Sequence, residues 1–232
     1  MLDPKSHNQF EARVAGWAAV LAGILTLPMV ALYFVYSGPP PAANVLTRSL
    51  ITLVFIATLV VFATALGPLL TAAVHHPGAV LFGKIAIASL LIYAVVLLFA
   101  TSLEVGTVLQ YPDGSLDPTT DGPLAAAMAL AHGPIAHLFI AIFLGGFAYA
   151  VHSGARVVRR WAITGSIIVA VINIAAVPSM YFGMDATGFY AVNGWGADAL
   201  VGLITLVWIG VVGAGVLSNA RKGDRQWRQH RV

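Results

Sequence analysis

The chain contains no cysteine, so disulfides, thiolate nucleophiles, cysteine-ligated metals and iron–sulfur clusters are all excluded. Charge is the second scarcity. Asp, Glu, Lys and Arg make up 9% of the 232 residues, against about 25% in an ordinary soluble domain. A soluble enzyme, a nucleic-acid-binding domain and a disordered tail all need more polar surface than that. Phosphate-cradling glycine loops, the dinucleotide fingerprint, the HExxH zinc helix and the GxSxG elbow are also missing. The apolar runs carry neither a pair of carboxylates nor a regular series of arginines.

Apolar side chains are what the sequence has in excess, at 59% of residues and a mean hydropathy of +0.88. A helix needs about 20 apolar residues to cross a hydrocarbon core of ~30 Å. Six runs reach that length: 14–36, 48–74, 81–103, 123–151, 161–182 and 196–219. They are too long and too continuously apolar for the ~10-residue alternating strands of a membrane barrel. Backbone donors in lipid must be satisfied within their own segment, so each run is read as a helix. The sequence therefore predicts an all-α integral membrane protein, a bundle of six transmembrane helices. Residues 1–13 form an N-terminal tail, 14–219 the membrane domain and 220–232 a basic C-terminal tail. The first run exceeds the about 7–15 residues of a signal-peptide core, and Asp3 and Glu11 occupy what would be its cationic flank. It is read as a span.

The few charges fix an orientation. With six spans, both termini share one side. That side collects Lys5, Arg13, Lys84, Arg156, Arg159, Arg160, Arg221, Lys222, Arg225, Arg228 and Arg231, which is 11 of the 12 basic residues, and Arg48 stands alone opposite. Six of the nine acids (Glu104, Asp113, Asp117, Asp121, Asp185 and Asp198) fall on the Arg48 side. Basic residues stay on the cytoplasmic side, so both termini are expected in the cytoplasm, and the two longer connections, 104–122 and 183–195, outside. The basic tail fits an anchor that meets anionic lipid.

Small residues recur four apart, as in Ala18/Ala22, Ala125/Ala129/Gly133 and Gly210/Ala214. Such stripes let helix backbones approach closely in lipid, either within the bundle or across a homo-oligomer face. Pro28, Pro68, Pro134 and Pro178 lie in or near the runs and favour kinks. No internal repeat is visible.

Polar groups inside spans are costly and mark candidate sites. His132 and His137 lie in the fourth run, about 13 Å and 21 Å from its start at ~1.5 Å per residue. Five residues at ~100° each put the two rings on different faces, so they do not chelate one metal together. Each is either a ligand- or proton-responsive group or a neutral ring bonded to a neighbouring helix. Glu104 and Arg48, at the outer boundary, suit a structural ion pair or an entry site, with His132 a second partner for Glu104. Asn173 is the amide deep in the fifth run. The connection after it, with Tyr181, Asp185, Tyr190, Asn193 and Trp195, reads as an aromatic belt with tight turns, or as the lip of a pocket. His75 and His76 end the second run and His152 the fourth on one side. They are candidate axial ligands for a single haem b, or else interfacial residues.

The stretches Leu116-Asp-Pro-Thr-Thr-Asp-Gly-Pro-Leu124, His132-Gly133, Pro178-Ser-Met-Tyr-Phe-Gly-Met-Asp185 and Phe189-Tyr-Ala-Val-Asn-Gly-Trp-Gly196 resemble a group of multi-span membrane proteins of high-GC, actinobacterial-type bacteria. The likeness lies mainly in the C-terminal half. It implies a bacterial plasma (inner) membrane and no particular activity. Three functional readings follow. The first is a binding or accessory subunit of a membrane complex, its partners being lipid, other membrane proteins or a second copy, and not nucleic acid. The second is a small secondary transporter or channel using His132, His137 and Glu104. The third is a membrane redox protein with one haem b. The scarcity of embedded charge predicts a mostly dry interior.

Overall fold

The computed structural model describes residues 4–35, 40–71, 76–155 and 157–229, with side chains placed for those between 8 and 221. All regular structure among these residues is helical, and six helices are long and apolar enough to cross a membrane. We label them α1 (Pro4–Tyr33), α2 (Ala42–Thr71), α3 (Pro77–Gln110), α4 (Gly122–His152), α5 (Trp161–Phe182) and α6, which opens with a π-helical turn at Trp195–Leu200 and continues as α-helix over Val201–Gln229.

Each helix packs on its sequence neighbours, and α6 closes the ring against α1. The seam runs antiparallel. Gly16 faces Leu217 and Gly213, while Gly23 faces Gly210. The start of α1 and the end of α6 therefore lie at the same end of the bundle, here called the basic end. The other is the acidic end. α4 is the most enclosed helix, and Phe143 and Phe147 on it reach the middle, where Phe143 meets Phe62 of α2 edge-on at 6.2 Å between ring centres. Leu59, Leu66, Leu70, Leu90 and Ile140 complete an apolar plug. Outward faces carry residues such as Trp17, Leu21, Ile24 and Leu27 on α1, as a lipid-facing surface requires.

Lipid tails are as apolar as leucine, so what holds such helices together is close packing and hydrogen bonds between them. The α1–α6 seam shows the first. A Cβ on Gly23 would sit 2.8 Å from Gly210 Cα, and one on Gly213 would sit 2.6 Å from Ala19 Cβ. The small-residue stripes serve the bundle itself: Ala18, Ala22, Ala125, Ala129 and Gly133 are buried. In the last stripe Gly213 takes the seam position expected for Ala214, which faces outward. Between α5 and α6, Trp208 donates its indole N–H to Ser166 at 3.1 Å and lies edge-on to Trp161.

The helices overrun the expected boundaries. α2 begins at Ala42, before Arg48, and α3 continues past Glu104 to Gln110. α1 begins at Pro4 and α6 continues to Gln229, through most of both expected tails. A charge ends an apolar run without ending a helix, since Lys, Arg, Gln and Glu are good helix formers. Among the four prolines the one sharp break is at Pro134. α4 widens into a π-helical turn at Ala131–Ile135, with Gly133 at φ −87° and ψ −106°. Proline removes a donor and pushes the preceding residue out of helical geometry, and glycine accepts that at little cost. Pro28 and Pro68 stay within continuous helix, and Pro178 marks the change of α5 into the 3-10 turn Val177–Phe182.

Candidate functional site

The acidic half of the bundle is not closely packed throughout. A cavity of about 150 Å³ opens between α1, α2, α3, α4 and α6, above the aromatic plug. That is room for several waters or one small organic molecule of roughly benzene size. Its wall is mostly apolar, with Met29, Leu97, Met128 and Leu206 around it and the rings of Tyr33, Phe55 and Tyr93. Four ionisable side chains interrupt the wall: Arg48 from α2, Glu104 from α3, His132 from α4 and Asp198 from α6. Thr119 and Asn193 reach it from the connections 111–121 and 183–194.

Arg48 and Glu104 form a buried ion pair, at 5% and 6% exposure, through Nη2 and Oε1. The Arg48 guanidinium also lies 5.0 Å from the centre of the Tyr33 ring, a cation–π contact that occupies that ring. His132 sits half-buried in the π turn of α4, where the break at Gly133 presents it to the cavity. Asp198 lies in the π turn of α6. Its carboxylate has no hydrogen-bond or salt-bridge partner among the described residues. The Thr101 hydroxyl, also in the wall, is buried and has no partner among the described residues.

His137 and Asn173 belong to a separate structure. His137 Nδ1 lies 2.7 Å from Asn173 Oδ1, and Nε2 lies 2.7 Å from the carbonyl of Ala197. Asn173 donates through Nδ2 to Val169 O at 2.8 Å and to Thr205 Oγ1 at 2.7 Å, and Thr205 donates to Val201 O. The two bonds from Nδ2 fix the amide orientation, so Asn173 presents its oxygen to the imidazole. Either tautomer satisfies one of the two oxygens facing the ring. The knot joins α4, α5 and α6 and shares no residue with the cavity wall. Replacing His137 with Phe should lower stability by about 1–2 kcal/mol, the cost of stranding buried acceptors, at the low end because membrane hydrogen bonds are weak in net terms. Unfolding in detergent checks this: His137→Phe should lose more than His137→Gln, whose amide keeps a donor. Equal losses would argue against the hydrogen bonds.

The remaining candidates disperse. Tyr181 is 85% exposed, and Trp195 is exposed and stacked edge-on to Phe189. Tyr190 donates its hydroxyl to Ala175 O, fastening the 183–194 connection to α5. Asn193 accepts from the Asp185 amide at 2.7 Å and is the member of this loop set that reaches the cavity. Both connections are built from Asp-x-Ser/Thr turns. Asp113 accepts from Ser115, Asp117 from Thr119 and Asp185 from Thr187, in each case from both amide and hydroxyl. Those bonds hold the Asp113 and Asp185 carboxyls below their ordinary value of 3.8, so both turns are fully formed at neutral pH and weaken only in acid. Of the haem-ligand candidates, His75 lies outside the described residues, and His76 and His152 are exposed at the basic end. Among the described residues no three His, Asp or Glu converge on a point where a metal ion would sit.

Of the residues singled out in the sequence, Arg48, Glu104 and His132 are brought by the fold to one cavity. The helical angle in the sequence separates His137 from His132, but it does not join His137 to Asn173, and there Asp198 counts only as a marker of topology. The available signal was its place inside the run 196–219, one turn past the Gly-Trp-Gly segment. No family model matches the chain, and no curated protein or solved structure matches it.

Proposed function

We propose that the protein is a polytopic plasma-membrane protein of the binding or accessory class, which takes a small solute from the acidic face into the cavity around Arg48, Glu104, His132 and Asp198. The observation that carries this reading is the cavity itself: ionisable groups gather around a space at one end of a bundle whose core is a cluster of apolar side chains. The distribution of Lys and Arg supports a cytoplasmic basic end, so the cavity faces the exterior. A second reading, a small transporter, is favoured by the break at Gly133 and Pro134 beside His132, a place where α4 can bend. Transport also needs a path through the plug of Leu59, Phe62 and Phe143, which in this conformation closes the route to the basic end.

The absence of native cysteine makes the test direct. Ala199→Cys and Leu203→Cys, both in the cavity wall, should react with a membrane-impermeant thiol reagent added to intact cells, while Leu66→Cys in the plug should not. Labelling of Leu66→Cys from outside would favour an open pathway, and protection of both cavity positions would overturn the binding reading.

A further inference from the structure

We infer that the cavity selects a small organic cation, an alkyl- or arylammonium, with the Asp198 carboxylate as its counter-ion. The inference rests on the binding reading above and assigns its ligand class.

The argument starts from charge. The wall holds two carboxylates, Glu104 and Asp198, and one guanidinium, Arg48. Arg48 is committed to Glu104, which leaves Asp198 as the carboxylate with no cation beside it among the described residues. An unpaired carboxylate in a low-dielectric space is costly, and an incoming cation removes that cost. An incoming anion would meet two carboxylates, and the Arg48 guanidinium is already paired with Glu104.

The remaining surface fits the rest of such a ligand. Phe55 and Tyr93 offer aromatic rings to the space, and ring faces attract ammonium groups within about 6 Å of their centres. Met29, Leu97 and Met128 supply an apolar bed for an alkyl or aryl portion. The Thr101 hydroxyl, and the His132 imidazole when it is neutral, can each accept from an ammonium N–H. A bare metal cation fits poorly, because it demands a full shell of oxygen or nitrogen ligands, and the described residues bring no three His, Asp or Glu to one point.

The test uses the full chain in lipid nanodiscs and calorimetric titration with butylammonium and benzylammonium, each matched by its alcohol and its carboxylate. Within each trio the shape is nearly constant and only the charge changes. The expected result is saturable binding of at least one ammonium, with the matching carboxylate at least tenfold weaker, and a loss of at least tenfold for the ammonium in Asp198→Asn. Asp198→Asn should leave the unfolding temperature of the empty protein unchanged or raised, which separates loss of a counter-ion from loss of fold. If an alcohol or carboxylate binds as tightly as its ammonium, or if Asp198→Asn retains full ammonium affinity, the cavity binds solutes but the cation assignment is overturned. If no member of either trio binds, the cation assignment falls as well, and the cysteine-labelling result decides separately whether the cavity is accessible.

Discussion

Replacing Arg48 with Leu should destabilise the bundle by about 3 kcal/mol, and replacing Glu104 with Leu by a similar amount, whereas the double replacement should recover most of the loss. The pair is buried at the meeting of α2 and α3, and each partner satisfies the other where little else can. Removing one leaves the other charged and stranded. Removing both leaves an apolar patch in an apolar wall, and a buried ion pair gains little over a well-packed hydrophobic substitute because desolvation consumes most of the Coulombic attraction. The figure lies at the low end of the 3–5 kcal/mol range for breaking buried pairs, since the cavity gives one side access to water. Equilibrium unfolding in mixed micelles measures all three variants as a double-mutant cycle. Additive losses would mean that the two side chains act independently, contrary to the geometry. The cycle also bears on ligand choice. With Glu104 gone, the unpaired Arg48 adds a positive charge to the wall, so Glu104→Leu should lose ammonium selectivity while keeping the cavity.

The same pair shows how far the fold was legible in the sequence. Six helices follow from run length alone, because the bilayer sets a threshold of about 20 residues that few other structures reach. Helix ends were less legible, and Arg48 and Glu104 explain why. Each looked like the edge of a span because hydropathy counts a charge as a cost. Paired across 56 positions of sequence, the two neutralise each other and both helices run on. Pairing is a tertiary fact, and a window of local sequence does not contain it. The break at Gly133 and Pro134 was legible because its cause is local. The separation of His132 from His137 was legible too, since it depends on helical angle. What joins His137 to Asn173, Ala197 and Thr205 was not, because those partners come from two other helices. Asp198 is the instructive omission. As one acid among six on the acidic side it carried topological meaning, and only the folded ring reveals that it stands without a cation beside it among the described residues.

Gly213→Leu should be the most damaging substitution in the ring seam, at or above the ~3 kcal/mol upper end of ordinary overpacking. A Cβ at Gly213 would stand 2.6 Å from Ala19 Cβ, 2.8 Å from Gly16 O and 2.9 Å from Val20 N. Two of those three atoms belong to the α1 backbone and cannot rotate away, so α1 and α6 have to separate. Dispersion attraction falls steeply with distance, and in lipid no hydrophobic force offsets its loss between helices. Gly145→Leu is the matched control. Gly145 is also within a helix, but nothing lies within 4 Å of its Cβ position, and that substitution should be neutral or stabilising by up to about 1 kcal/mol. A partner change refines the point: Ala19→Gly, combined with Gly213→Leu, should recover only part of the loss, because it removes the side-chain contact and leaves both backbone contacts. Full recovery would show that the Ala19 methyl alone sets the spacing, and an effect no larger than that of Gly145→Leu would show that the ring does not depend on this seam. The consequence extends to the cavity. α1 supplies Tyr33, which braces Arg48, and α6 supplies Asp198, so parting the two helices moves the counter-ion away from the wall it faces. Ammonium binding should therefore be lost in Gly213→Leu even in whatever fraction remains folded, and kept in Gly145→Leu.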